Sequence, residues 1–290
     1  MVIIKIAGGL GNQMFQYALA RILQINGRNV LLDCSGYHIH SQKDTIRNYE
    51  LDKFRTKIRK ASPKEISKYY NWWQLILCYL GRIFKKDISK IIIEKEHRYQ
   101  AKIAKCDNKY LIGFWQSENY FKAARKELLE DFCFQHFTLS QRNQKLQNKL
   151  LTEKNSVAVH IRGGDYTTAG NMALYGNICT ADYYKRAFSY IEKIIGNANY
   201  YIFTNDRKWM KQIITENNNI IEVIDWNSED EGWIDMYLMS ICKHNIIANS
   251  SFSWWAAWLN QNEKKVVIAP SKWQNGADIE DIVPEEWVRM

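Results

Sequence analysis

From Ser156 to the end, the chain keeps a rhythm that few folds accept. SVAVHIR, YYIFTND, IIEVID, NIIANS and KVVIAP are short apolar runs, the first four ending on polar residues. Between them lie ADYYKRAFSYIEKII, KWMKQIITEN, GWIDMYLMSICKH and SFSWWAAWLNQ, each with helical spacing. Strands without polar alternation are buried on both faces, and strands that alternate with helices form parallel sheets. The pattern predicts a doubly wound α/β sheet, whose ligands sit beyond the carboxyl ends of its strands.

A second unit of this kind opens the chain. VIIKIA (2–7) reads as a strand and GGLGNQ as a turn. MFQYALARILQING carries apolar residues at helical spacing and a stop at Gly27, and NVLLDC is the next strand. At 290 residues the chain exceeds what one core organises, so two domains are expected, 1–150 and 151–290. The boundary falls in the Gln/Asn/Lys-rich stretch 140–155.

The segment between is less regular. Helical spacing runs over 62–86 and 89–105, a strand, turn and helix over 109–121, and a largely helical polar stretch over 122–152. WWQLILCYLGRIF (72–84) is too short to span a bilayer. It suits a buried helix or one lying on a membrane surface, and both readings stay open.

Charge is divided unevenly. Residues 1–150 hold 27 Lys/Arg against 13 Asp/Glu, and residues 151–290 hold 13 against 18. A basic half suits a polyanion, either nucleic acid or an anionic leaflet. No RNP, helix-turn-helix or zinc signature is present, so nucleic acid is not an expected partner. Six scattered cysteines without CxxC spacing read as free thiols of a reducing compartment. The start, MVIIKIAGGLGN, has no signal-peptide pattern, and no run of 18 apolar residues occurs. The expectation is a cytoplasmic protein, peripheral at the inner face of the membrane through residues 62–86.

Four strand ends carry unusual chemistry. GGLGNQ offers Gly9 and Gly11 for close backbone approach and a helix start for an anion. It departs from GxGxxG and lacks the GK[ST] of a P-loop, so a tight structural turn explains it equally. HIRGGDY places His160, Arg162 and Asp165 with two glycines at a strand end. A guanidinium there grips two phosphate oxygens and neutralises a departing diphosphate. Asn205 and Asp206 of TND suit a nucleoside contact or a helix cap. In NSSFSWW, Ser250 and Ser251 open a helix whose N–H groups favour a phosphate. No Asp-x-Asp pair occurs, so the arginine and a helix start are expected to take the place of a metal ion.

These segments together resemble the bacterial α-1,2-fucosyltransferases, glycosyltransferase family eleven. The resemblance rests on GGLGNQMFQYALAR, GFWQSENYF, HIRGGDY, ADYYKRA and DMYLMSICKHNIIANSSFSWWAAWLN through VVIAPSKW. It covers nearly everything outside about 37–108, the insert expected to shape the acceptor side. His160, Arg162, Gly164 and Asp165 meet the family's HxRRGD, while Gly163 stands where a second arginine is common.

The resemblance implies a GT-B architecture, two Rossmann-like domains facing across a cleft, the second binding GDP-β-L-fucose. It implies inverting transfer of L-fucose to the 2-hydroxyl of a terminal galactose, on an oligosaccharide or a lipid-linked glycan, with no required metal or further cofactor. By motif, Arg162 and His160 meet the GDP phosphates, with Ser250, Ser251 and Phe252 at the β-phosphate end. Gly9, Gly11, Asn12 and Gln13 reach the donor from the first domain, and Asn205 and Asp206 lie near the nucleoside. Trp115, Gln116 and Glu118 fall on the acceptor side. Asp165 and Glu118 are candidates for the base.

Overall fold

The apolar runs become strands of two all-parallel sheets in a computed structural model that describes residues 1–38, 47–84, 88–95, 98–134, 138–163, 169–214, 219–277 and 280–290. The chain divides into two compact units, Met1–Gln135 and His136–Met290.

In the first unit, Val2–Lys5 (β1) leads through a turn into Leu10–Ile25 (α1) and then Val30–Asp33 (β2). Gly27, at φ +80°, ends α1. Its N–H bonds to the carbonyl of Gln24 and that of Arg28 to Leu23, the paired closure that a left-handed glycine permits. Pro63–Ser67 (α2) and Trp72–Phe84 (α3) precede Ile91–Ile93 (β3), Lys109–Ile112 (β4) and Arg125–Asp131 (α4). The sheet order is β2-β1-β4-β3, every pair parallel. The helix expected over 89–105 is therefore corrected. Three consecutive isoleucines, each branched at Cβ, pair with β4 instead of coiling.

A buried carboxylate ties this unit together. Asp131, at the end of α4, accepts hydrogen bonds from Tyr17 Oη at 2.8 Å and Arg21 Nε at 2.6 Å, both on α1. Lys57 Nζ lies 3.0 Å from its other oxygen. A charge without water is stable only when so surrounded.

The second unit begins earlier than the boundary expected near 150, because Gln141–Thr152 (α5) packs within it against Gly232–Ile241 (α9). The remaining elements are Ser156–Ile161 (β5), Ala169–Tyr175 (α6), Ala181–Ile195 (α7), Asn199–Thr204 (β6), Arg207–Ile213 (α8), Ile220–Ile224 (β7), His244–Ile246 (β8), Ser251–Leu259 (α10), Val267–Ala269 (β9) and Val288–Arg289 (β10). The order β10-β9-β8-β5-β6-β7 is the dinucleotide-fold order read from the other edge. Two expected helices are trimmed. The stretch 122–152 is interrupted between α4 and α5, and α9 stops at Ile241, so that His244 opens β8. There His244 Nδ1 accepts a hydrogen bond from Val266 N at 3.0 Å.

β5 is buried along its whole length. Val157, Val159 and Ile161 point to one face, into a cluster with Tyr183, Tyr184, Ala187 and Ile191 of α7. Period-two geometry sends Ala158 and His160 to the opposite face. The expected α/β class is the observed one.

Replacing Asp131 by Ala leaves the largely buried Arg21 without its carboxylate, while Lys57 is half exposed to water. The substitution is expected to cost about 3 kcal/mol of folding stability in a urea titration, against less than about 0.5 kcal/mol for an exposed control such as Glu263→Ala.

Candidate active site

The winding of the second sheet reverses at β5. The chain travels outward to β6 and β7, then returns to β8 on the other side of β5. Two adjacent strands whose following loops part in opposite directions leave a crevice at their carboxyl ends. Arg162 and Gly163 leave β5 at that crevice, and residues 249–251 leave β8 there.

Two tyrosines of α7 brace the crevice from below. Tyr184 Oη donates to the His160 carbonyl at 2.8 Å, and Tyr183 Oη donates to the Ile247 carbonyl at 2.6 Å. Both rings are buried and pack edge to face at 4.9 Å. They hold carbonyls at the carboxyl ends of the two strands that the reversal separates, one residue before the end of β5 and one after the end of β8. ADYYKRA stood out in the sequence without a role, because the partners of its tyrosines are backbone atoms of distant strands.

His160 is buried, with its ring centroid 5.7 Å from that of Phe252 on α10. Burial first, and then the neighbouring Arg162 charge, push its pKa down to about 3. The imidazole is neutral at physiological pH, so the positive charge at this strand end is the half-buried Arg162 guanidinium. Among the described residues His160 Nδ1 has no hydrogen-bond partner, which leaves it available to a ligand.

Gly163 explains itself sterically. Its N–H donates to Asn205 Oδ1 at 3.0 Å. A β-carbon at 163 would stand 2.7 Å from Asp206 Cβ and 3.1 Å from Trp209 Cδ1. A second arginine is excluded here by the close approach of the loop after β6. That loop is itself capped: Asp206 Oδ1 accepts from Trp209 N at 2.9 Å at the start of α8. Of the two roles open to Asp206, the structure shows the cap. Asn205 serves the arginine loop.

Across the crevice, α10 begins without side-chain capping. Ser250 occupies the cap position but makes no capping hydrogen bond, and no acidic residue stands in the first turn. The N–H groups of the first turn and the hydroxyls of Ser250 and Ser251 are therefore offered to an anion. Buried Asn249 is structural. Its Nδ2 donates to the Tyr175 and Trp273 carbonyls at 3.1 and 3.2 Å, fixing the strand exit. Asp165 lies outside the described residues.

One acidic group was missed. Asp235, one turn inside α9, accepts from Asn227 Nδ2 at 2.6 Å. Its helix starts at Gly232, where a β-carbon would be 3.8 Å from the Phe252 ring. Burial raises its pKa to about 7, against the lowering effect of Asn227. A single Asp in a helical apolar run gives no sign in the sequence of such desolvation.

The first unit gathers the other candidate residues around the ends of β1 and β4. Gly8 adopts φ +80°, and a β-carbon there would be 2.7 Å from Asn12 Nδ2. Gln13 is fully buried. Its Nε2 donates to the Gly8 and Asn48 carbonyls at 3.0 and 2.8 Å, and its Oε1 accepts from Glu50 N at 2.9 Å. Its amide is a strut for the loop. Asn12 Oδ1 accepts from Gln116 Nε2 at 2.8 Å, which joins two motifs that the sequence separates by a hundred residues. Trp115 is buried in the left-handed region at φ +56°. Both oxygens of Glu94 receive its N–H, and one receives that of Phe114 at 2.7 Å. Gly9 and buried Gly11 begin α1, and Glu118 begins the short helical turn after Ser117. Among the described residues no three His, Cys, Asp or Glu side chains cluster as a metal site would require.

A sheet of this order, with an arginine and an uncapped helix start on the two sides of its reversal, defines a Rossmann-type unit. The family model described as Glycosyl transferase family 11 matches residues 1–290. The chain belongs to that family, and it is a glycosyltransferase. It is 33% identical to the O-antigen biosynthesis glycosyltransferase WbnK of Escherichia coli, over 98% of this chain and 99% of that protein. It is also 33% identical to an alpha-1,2-colitosyltransferase of Escherichia coli, over 100% and 99% respectively. Among solved structures it is similar to fucosyltransferase NodZ from Bradyrhizobium, with 13% identity, 88% of this chain and 91% of that chain covered, and a TM-score of 0.48.

The raised Asp235 pKa has a signed consequence. The folded state holds a proton that the unfolded chain releases near pH 4, so stability falls as pH rises from about 4 to 7. Asp235→Asn keeps the Asn227 bond and removes that loss. Relative to wild type it is expected to gain stability progressively across this window, by up to roughly 4 kcal/mol, and to gain nothing further above it. Thermal unfolding at a series of pH values reads the difference.

Proposed function

We propose that the protein transfers L-fucose from GDP-β-L-fucose to the 2-hydroxyl of a galactose on a glycan acceptor, forming an α-1,2 linkage with inversion. The observation that carries this reading is the pairing, at the sheet reversal, of Arg162 with the uncapped start of α10. It is supported by the 33% identity to an α-1,2-linking relative over the whole chain.

In such a transfer the bond from the anomeric carbon to the β-phosphate oxygen breaks, and negative charge grows on the departing GDP. Arg162 meets that charge with a two-pronged guanidinium, and the N–H groups of α10 meet it from the β8 side. Neutral His160 adds a hydrogen bond but no charge. The acceptor hydroxyl attacks from the face opposite the leaving group, which inverts the configuration, and its proton passes to a base. Asp165 and Glu118 are the candidates. The charge on GDP is carried by protein groups, so chelation of divalent ions is expected to leave the rate unchanged.

A second donor has a specific observation in its favour, since one of the relatives is named for colitose. Colitose is L-fucose without the 3-hydroxyl. A site that bonds that hydroxyl rejects the deoxy sugar strongly, while a site that merely encloses it discriminates little. Release of GDP measured over a panel of GDP-L-fucose, GDP-colitose, GDP-mannose and UDP-galactose decides between them. Turnover with neither of the first two would overturn the proposal.

Arg162→Ala and Arg162→Lys are both expected to lower kcat by about 100- to 1,000-fold with an unchanged unfolding transition. A lysine supplies charge without the fork, so a Lys variant with more than about a tenth of wild-type activity would remove Arg162 from this role.

A further inference from the structure

We propose that the outward face of α3 is a docking surface for an anionic lipid bilayer. The helix departs from the usual rule, since apart from Gln74 and Arg82 its sequence is apolar all round. A surface helix turns its apolar stripe inward and its charges to water. In α3 the inward side carries Gln74, whose carbonyl accepts from Ser89 Oγ at 2.9 Å and whose Oε1 accepts from Lys90 N at 2.7 Å. Cys78, one turn on, packs against the cluster of Ile3, Leu31, Tyr69, Ile91 and Tyr110. The outward arc holds Trp72, Trp73, Leu75, Ile76, Tyr79, Ile83 and Phe84, all exposed.

The four aromatics are 59%, 60%, 66% and 64% exposed in chain order. With roughly 150–250 Å² per full aromatic side chain, they alone present about 500 Å². That is already near the upper limit of the largest apolar patch on an ordinary monomer, before the three aliphatic residues are added. Trp72 and Trp73 stack at 3.9 Å, a flat amphipathic pair suited to the headgroup layer. No helix among the described residues is long and apolar enough to cross a membrane. At thirteen residues α3 lies on a surface.

Charge selects the occupant. Residues 55–95 carry 11 Lys/Arg against 3 Asp/Glu. Lys64 and Lys68 precede α3, and Lys90 follows it, with its Nζ 5.1 Å from the Tyr69 ring centre. A second copy of the chain would bring this surplus against itself in a twofold contact. An anionic leaflet supplies the opposite sign, and apolar insertion plus basic attraction are the two contributions that hold interfacial helices. This inference is independent of the donor and acceptor proposed above.

The test is co-sedimentation of the full chain with vesicles of phosphatidylcholine, with and without phosphatidylglycerol. Partition is expected to be at least about 10-fold stronger with phosphatidylglycerol and to weaken as salt rises. Trp73→Ser/Tyr79→Ser/Phe84→Ser should abolish it without lowering Tm, because these side chains are exposed. Lys64→Glu/Lys68→Glu should remove the preference for the anionic vesicles. No partition, equal partition into phosphatidylcholine alone, or undiminished binding by the triple variant would each overturn the proposal. So would sedimentation equilibrium in which wild type is a dimer and the triple variant a monomer.

Discussion

The second unit depends on one constraint, the parallel pairing of β5 with a strand on each side. β6 follows it in the chain and β8 comes much later, so the loops after β5 and β8 must diverge. The crevice between them is a product of topology, and side chains only furnish it. Tyr183 and Tyr184 spend their hydroxyls on the carbonyls at this point, where the sheet's own ladder is ending. Arg162 leaves a backbone held by both neighbours, the rigidity that the charge stabilisation proposed for it demands.

Side-chain amides do comparable work in the first unit. Gln13, Gln16 and Gln116 bridge backbone and side-chain groups of the segments that follow β1, β2 and β4. Gln16 accepts from Ala7 N and donates to the Gly113 carbonyl, both at 2.9 Å. An amide carries a donor and an acceptor at once, so it can take the place of a missing strand neighbour. The cost is sequence-dependent rigidity. Trp115, in a backbone region that L-residues avoid, persists because Glu94 receives the N–H groups it presents.

Polar and apolar groups thus exchange their customary places at two sites. Where ligands are expected, polar groups are buried: His160 is neutral by desolvation, and Asp235 is held toward its protonated form. Where solvent is expected, α3 shows tryptophan and phenylalanine. Each departure from the ordinary partition costs free energy in the isolated chain, and each is the kind of departure that a binding partner relieves.

Periodicity made much of this legible. The strand and helix alternation after Ser156, the opening βαβ unit, the Gly27 stop and the four motif-bearing strand ends were all readable, because each is a local property of a few residues. The helix expected over 89–105 was not borne out, since the strand preference of three isoleucines takes effect only where β4 offers a partner. The role of Gly163 was closed to sequence reasoning for the same reason. A missing second arginine reads as a deficit, and only the packing of Asp206 and Trp209 shows that the site has no room for one. Likewise Asn12 and Gln116 are unrelated in the chain and bonded in the fold. The sequence by itself determined the parallel α/β class, which motifs stand at the strand ends, and the family. The tertiary structure decided which strand ends meet, which amides are struts, and which face of α3 looks outward, because those depend on pairings between residues far apart in the chain.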